Sequence, residues 1–380
     1  MLRLPRFAVP LLAALFPLAC GSDQGSESAT AVQPAQGNQP AGTTTPANGD
    51  SSTGGLPGAS PASGADDGML PTSGLPLLAA QGAPKPAGVA GNLKVLDWAG
   101  FKAAVSYTFD DSNRSQMAHY AALQALGVHM SFYLITGKPE SLDPVWKQAV
   151  ADGHEVANHT QSHLQMGDTL AADTDAGNTF LKNTFGIEVY TMAAPYGAAV
   201  YSDIARTRYL INRGVGDGQI LPNGANDPFN LNCFIPPTNA PAAIFNAKID
   251  GVRATGSWQT MLVHGFTDMD ATEGAYQPVD FNEFVSGVNY AKAFGDVWID
   301  SLVNVGAYWL GQKSFQATPP LAQGDTSTWT WTLPDHFPPG KFLRVTVDGG
   351  TLRQDGKALP WDPHGYYEVA LDAKSLSLSP

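Results

Sequence analysis

Two cysteines, Cys20 and Cys233, occur in 380 residues. That scarcity excludes a fold stapled by disulfides and any zinc site built on thiolates, so a bound metal has to take histidine and carboxylate ligands. Positive charge is also thin: 21 Lys and Arg stand against 34 Asp and Glu, for a net charge of −13, and no basic block occurs. Binding to nucleic acid draws on clustered Lys and Arg to displace counterions, so no nucleic-acid partner is expected. Charged residues of both signs amount to 14%, against roughly 25% in an average domain. What the chain does have is 43% hydrophobic residues, with 40 glycines and 29 prolines. The apolar share is ample for a core, which rules out a wholly disordered chain, and the length allows two average domains.

These averages hide a division along the chain. Arg3 and Arg6 precede a short apolar run, Phe7 to Leu18, too short to span a bilayer comfortably, so residues 1–20 are expected to be a signal peptide. The run ends in Pro17-Leu18-Ala19-Cys20, which resembles a bacterial lipoprotein processing site with Pro17 in place of the usual aliphatic residue. Lipidation is therefore expected at Cys20. Membrane association would run through that anchor alone, and the mature protein would be exported to the cell envelope or the extracellular space. The alternative is ordinary cleavage nearby and free secretion. Residues 21–90 are rich in Gly, Ser, Thr, Pro, Ala and Gln without a hydrophobic period. Such a stretch cannot bury enough surface to offset chain entropy and reads as a disordered linker, in which the Leu-rich piece Leu75 to Ala80 could pack weakly but is expected to be disordered too.

From residue 91 the texture changes. Ala103 to Phe109, Gly127 to Ile135, Gly153 to Asn158, Val189 to Met192, Tyr209 to Arg213 and Trp258 to His264 are predicted strands. Predicted helices lie near Met117–Leu126, Asp143–Ala151, Ala172–Phe185, Val200–Thr207, Phe281–Ala293 and Asp296–Gln312. This alternation predicts an α/β domain over 91–315, with a parallel sheet wrapped by helices, open or closed as a barrel. Catalytic side chains in such folds gather at the carboxyl ends of strands, where Asp110, Asp111 and His264 all fall. Residues 316–380 instead carry short period-two segments, Thr328 to Leu333, Phe342 to Val347 and Tyr366 to Leu371, with turn signals at Asp348-Gly349-Gly350 and Asp355-Gly356. They predict a small β-sandwich-like domain.

The middle domain holds the chemical groups. Thr108-Phe109-Asp110-Asp111 sets two carboxylates where a strand meets a loop. His159-Thr160-Gln161-Ser162-His163 supplies two imidazoles four residues apart; on one helical turn they would share a face and converge on a metal. Two His and one Asp leave a coordination position open, the layout of a catalytic rather than a structural metal. Ala194-Pro195-Tyr196-Gly197 is a turn after a strand whose backbone N–H groups suit an oxyanion. Leu262-Val263-His264-Gly265 puts a histidine at a strand terminus.

Together and in this order, over about residues 95–313, these pieces resemble the polysaccharide deacetylase family (carbohydrate esterase family 4, the NodB-homology domain). The resemblance implies a distorted (β/α) barrel, with the small all-β domain following it, and the removal of acetyl groups from N- or O-acetylated glycans such as chitin, peptidoglycan or xylan. It further implies a divalent metal, usually zinc (Zn2+), on Asp111, His159 and His163. Asp110 would be the general base toward the attacking water, His264 the general acid, and the Tyr196 backbone N–H an oxyanion donor. Pro195, Tyr196 and Phe266 are the substrate-binding residues expected beside these motifs; Tyr107, Tyr133, Trp146, Tyr276 and Trp309 are further aromatics that could face a sugar, most of them expected in the core.

Two positions depart from the family pattern. Ala193 stands where an arginine normally precedes the tyrosine by three, and Arg213 is either its replacement or a structural residue. The aspartate that tunes the acidic histidine is not evident: Asp217 lies in the expected region without the usual Trp, and Asp268 and Asp270 are alternatives. Cys233 is read as a free thiol without a role. Ala193 leaves room for a second reading, a catalytically impaired protein of this fold that binds glycans at the envelope.

Overall fold

Ala103–Asp110 (β2) and Trp258–Val263 (β7) are mostly apolar, and every residue of both is buried. A strand covered on both faces belongs at the centre of a parallel sheet. In the computed structural model, which describes residues 73–269 and 274–380, β2 lies inside the sheet, and β7, last in the strand order, is met by bridges from Ile220 and Phe234. With Ser131–Leu134 (β3), Glu155–Asn158 (β4), Thr191–Ala193 (β5), Ile211–Arg213 (β6) and Val297–Ile299 (β8) they form a seven-stranded sheet in the order β6-β5-β4-β3-β2-β7, with β8 on β2. All the pairings are parallel. Short helices cover it: Arg114–Ala118 (α1), Tyr120–Gln124 (α2), Pro144–Ala151 (α3), Leu170–Phe185 (α4), Val200–Arg206 (α5), Ala242–Thr255 (α6), Phe281–Ala293 (α7) and Leu302–Gln316 (α8).

The sheet curls, and the gap between β6 and β7 is spanned by irregular chain. Leu231 bridges to Arg213 on one side, and Phe234 to Met261 on the other. The Phe234 N–H donates to the Thr260 carbonyl at 3.0 Å, and its own carbonyl accepts from Leu262 at 2.9 Å. Single bridges in place of a full strand are what distort the barrel.

Local chemistry sets the helix ends. Asp143 and Asp280 accept backbone N–H bonds at the starts of α3 and α7, while Gly186 and Gly256 end α4 and α6 in left-handed geometry. Sequence reading missed α6. Its buried stripe, Phe245, Ile249 and Val252, has helical spacing, and Pro241 and Gly256 bracket it, but Asn246 and Gly251 interrupt the pattern. The helix expected over Asp296–Gln312 is corrected at its start. Val297–Ile299 pairs with Ala103–Val105, and α8 begins only after Ser301, whose hydroxyl caps the Asn304 N–H.

Two antiparallel sheets complete the fold. Lys94–Val95 (β1), Phe342–Thr346 (β11) and Tyr367–Ala370 (β14) form one. Leu321–Gln323 (β9), Thr326–Thr330 (β10), Thr351–Gln354 (β12), Lys357–Ala358 (β13) and Ser375–Ser379 (β15) form the other, in the order β13-β12-β15-β10-β9. Their apolar faces share one core with Tyr308, Trp309 and Phe315 of α8, so the boundary expected at 315/316 falls inside continuous packing. Residues 73–90, placed by composition in the linker, are also engaged. Leu75 packs against that core, and the fully buried Arg344 donates to the carbonyls of Leu75, Pro76 and Ala99 and pairs with Glu368 at 3.2 Å. The expected signal peptide and Cys20 lie outside the described residues.

Candidate active site

Asp110 closes β2, and Asp111 is the first residue beyond it. The chain then turns through Asp111 and Ser112 with φ of 75° and 55°, backbone that L-residues seldom adopt. Thr160, His163 and Tyr196, on the loops after β4 and β5, share this left-handed region. Each such residue costs about 1–3 kcal/mol, so their gathering at one end of the sheet marks a place where side-chain direction outweighs local strain.

The His159–His163 pair is not on a helical turn as expected. His159 follows the last residue of β4, and the loop doubles back through Thr160. The Thr160 N–H donates to Asn158 Oδ1 at 2.6 Å, and Thr160 Oγ1 accepts from the His163 N–H at 3.0 Å. This local turn brings the rings to 4.7 Å between centres. A turn closed by a threonine hydroxyl can achieve what a helical i, i+4 face does, and the spacing alone does not separate the two.

His159 is buried, and its Nδ1 lies 2.9 Å from the Ala193 carbonyl. The ring therefore carries its proton on Nδ1 and turns the Nε2 lone pair inward. Nε2 is 3.5 Å from Asp111 Oδ1 and 3.5 Å from Asp110 Oδ2, and His163 Nε2 is 3.7 Å from the same Asp111 oxygen. One ligand atom from each of Asp111, His159 and His163 lies within 4.8 Å of the others. Asp111 Oδ1 is buried without a hydrogen-bond donor. A buried, unpartnered carboxylate oxygen facing two imidazole lone pairs fits a divalent cation. Burial would raise the Asp111 carboxyl, but the imidazoles of His159, His264 and His163, when protonated in the absence of a metal, outweigh it and carry it well below the usual carboxylate range. Burial and the neighbouring His159 push His163 down to about 4, which leaves its lone pair free at neutral pH.

Asp110 differs from its neighbour. Its Oδ2 is taken by the guanidinium of Arg213, itself fully buried, and its Oδ1 is buried and unpartnered. Arg213 reaches it because Ala193 of β5 and Arg213 of β6 are register partners on adjacent parallel strands. A guanidinium thus reaches Asp110 from the next strand, although residue 193 is an alanine. The Cys233 thiol lies in the same pocket, fully buried. Burial raises it to about 11, only partly offset by Arg213, so it is protonated and inert at neutral pH.

His264 follows β7. Its carbonyl is held by Asn113 Nδ2 at 2.7 Å and Gln116 Nε2 at 2.8 Å, and Gln116 also donates to the Asp110 carbonyl. Asn113 and Gln116, overlooked in the sequence, thereby tie the ends of β2 and β7 together; nothing short of the fold connects residues so far apart in the chain. Burial lowers the His264 pKa against the opposing charges of Asp110 and Asp111. Two of the candidate tuning aspartates are engaged elsewhere. Asp217 pairs with Lys248 at the surface, Asp268 pairs with His119 at 2.8 Å, Asp270 is outside the described residues, and His264 Nδ1 has no partner among them.

Pro195 is buried in the turn and Tyr196 is exposed, its ring 4.5 Å from that of His163. Phe266 is a correction. It is fully buried among Phe109, His119, Phe281 and Phe284, because the chain re-enters the core just after His264. Tyr107, Tyr133, Trp146 and Trp309 are likewise core, and Tyr276 is exposed.

Asn158, which sets the histidine loop, is gripped by the Thr174 carbonyl, Asn178 and Tyr209. Gly177 of α4 packs on it: a Cβ there would sit 2.4 Å from Asn158 Oδ1. An alanine normally gains about 1 kcal/mol over glycine in a helix. Here Gly177→Ala is expected to lose about 1–3 kcal/mol through overpacking and to weaken metal binding as Asn158 shifts. Thermal denaturation and metal titration measure the two effects.

A parallel α/β barrel with carboxylates and imidazoles gathered at its strand ends has the layout of a hydrolase. Residues 100–210 match the family model for polysaccharide deacetylase, which takes in Asp110, Asp111, His159, His163 and Tyr196. Over that segment the chain is similar to the polysaccharide deacetylase family. It is 35% identical over 155 residues to a gellan lyase from Bacillus sp, a match to 37% of this chain that spans 6% of that protein's length. Among solved structures it is similar to the catalytic domain of a peptidoglycan N-acetylglucosamine deacetylase from Eubacterium rectale, at 14% identity. That match covers 58% of this chain and 94% of the other with a TM-score of 0.38. It is also similar to the Xyl-CE4 domain of a multidomain xylanase from the hindgut metagenome of Trinervitermes trinervoides, at 16% identity, covering 53% and 88% with a TM-score of 0.35.

Proposed function

We propose that this site hydrolyses acetyl groups from an acetylated polysaccharide, with Asp111, His159 and His163 holding a divalent metal, most simply zinc. The observation that carries the reading is the convergence of those three donors around an unpartnered carboxylate oxygen, beside a second carboxylate that is engaged elsewhere. The metal supplies Lewis acidity toward the acyl oxygen and the attacking water. Asp110 takes the water proton on Oδ1, the oxygen that Arg213 leaves free. The Tyr196 backbone N–H, presented by its left-handed turn, donates to the acyl oxygen as it gains charge. His264 gives a proton to the leaving amine or alkoxide as the bond to the acetyl carbon breaks, and acetate departs. The substrate is an acetylated glycan of the chitin, peptidoglycan or acetylxylan type. Export, with Cys20 as the lipid anchor, would bring the site to such glycans.

The impaired-protein reading rested on Ala193, and Arg213 supplies the group lost there. Acetate release from a panel of acetylated glycans, with metal content measured on the same protein, tests the proposal. About one divalent ion per chain is expected. Chelation should abolish acetate release and zinc restore it, and His159→Ala should lose both the ion and the activity. A metal-free protein that releases no acetate from any member of the panel would refute it.

A further inference from the structure

Two Phe, Trp or Tyr side chains are exposed among the described residues, and each lies against a histidine of the active site. Tyr196 is 60% exposed beside His163; Tyr276 is 58% exposed and meets His264 edge-on at 5.3 Å between ring centres. All other described aromatic rings are buried or partly so. Apolar ring surface kept in water forgoes about 25 cal/mol per Å². Two such rings at the mouth of a site, and none elsewhere among the described residues, point to an occupant that covers them.

The topology says where that occupant runs. Strand order is β5-β4-β3-β2-β7 across this part of the sheet. Asp111 follows β2, and His159 and His163 follow β4, so the metal-binding donors come from the inner strands. Tyr196 follows β5 and Tyr276 lies on the loop after β7, one outside each flank. The exposed Val215, packed against Gly197, extends the apolar rim on the Tyr196 side. A flat, rigid ring with a polar tip suits a sugar, which has an apolar C–H face and a hydroxyl edge.

We propose that Tyr276 is the platform for the sugar next to the acetylated one on the His264 side, with Tyr196 carrying a ring on the opposite side. The site then works on internal residues of a chain of at least three sugars. This rests on the deacetylase reading above.

The test uses Tyr276→Ala and Tyr276→Trp in the full chain. Affinity electrophoresis in gels containing glycol chitin or acetylated xylan reads binding, and 4-nitrophenyl acetate turnover reads the reaction centre. Tyr276→Ala should weaken retardation by the bound polysaccharide and raise the KM for it about tenfold, with a much smaller effect on the small ester. Tyr276→Trp should retain polymer binding. Equal losses on polymer and small ester would make Tyr276 a support for His264 and overturn the proposal. So would unaltered retardation of Tyr276→Ala, or a wild-type protein that neither polysaccharide retards. Retardation that depends on Tyr276 in a wild-type protein that releases no acetate would leave the platform standing and refute the deacetylase reading instead.

Discussion

Asp110→Asn should release acetate about 10²–10⁴-fold more slowly while binding metal as the wild type does. Distance to His159 does not separate the two aspartates, since both lie 3.5 Å from its Nε2. Their other partners do. Asp111 Oδ1 also faces His163, whereas Asp110 Oδ2 is occupied by Arg213. An asparagine at 110 keeps the shape but cannot accept the proton. It also leaves the buried guanidinium without its charge partner, so folding is to be followed by circular dichroism alongside acetate and metal content. Loss of the metal with a folded protein would reverse the assignment and make Asp110 the ligand.

Arg213→Met should have the largest effect on stability, about 3–5 kcal/mol, because it strands a buried carboxylate at the centre of the barrel. Chemical denaturation measures this. Acetate release should fall as well, since nothing then holds Asp110 Oδ2. Arg213→Lys should recover little: the fork that reaches Asp110 while also donating to the Gly214 carbonyl is lost with the planar group. A sharper check follows from the register of β5 and β6. The pair Arg213→Ala with Ala193→Arg returns the guanidinium to the neighbouring strand and should regain part of the rate lost in Arg213→Ala. Acetate release unaffected by Arg213→Met would remove the arginine from the site's chemistry.

Much of this site was legible in the sequence. Asp110-Asp111, His159, His163, Tyr196 and His264 each sit at or beside a strand end that apolar patterning reveals, and a parallel barrel collects strand ends on one face. The means by which they meet were not legible. The histidines were expected on a helix, and the Asn158–Thr160 turn brings them together instead. Phe266 was expected to face sugar because it adjoins a motif, yet chain adjacency says nothing about which way the next side chain points. Tyr276 lay in a loop without a pattern, and its exposure became visible only once the core around it was closed. The linker drawn to residue 90 runs too far for a similar reason: composition cannot show that Arg344 captures the carbonyls of Leu75 and Pro76.

By itself the sequence determined the chemistry available: no thiolate ligands, a carboxylate pair and histidines at strand ends, and an alternating α/β pattern followed by short alternating strands. These follow from residue type and local period, which the chain carries wherever it is. The tertiary structure alone decided which carboxylate faces both imidazoles and which is paired with a guanidinium. That decision depends on Arg213, 103 residues from Asp110 along the chain, and on the parallel pairing that lays β6 beside β5. Pairing register is a property of two strands at once, so no single segment contains it.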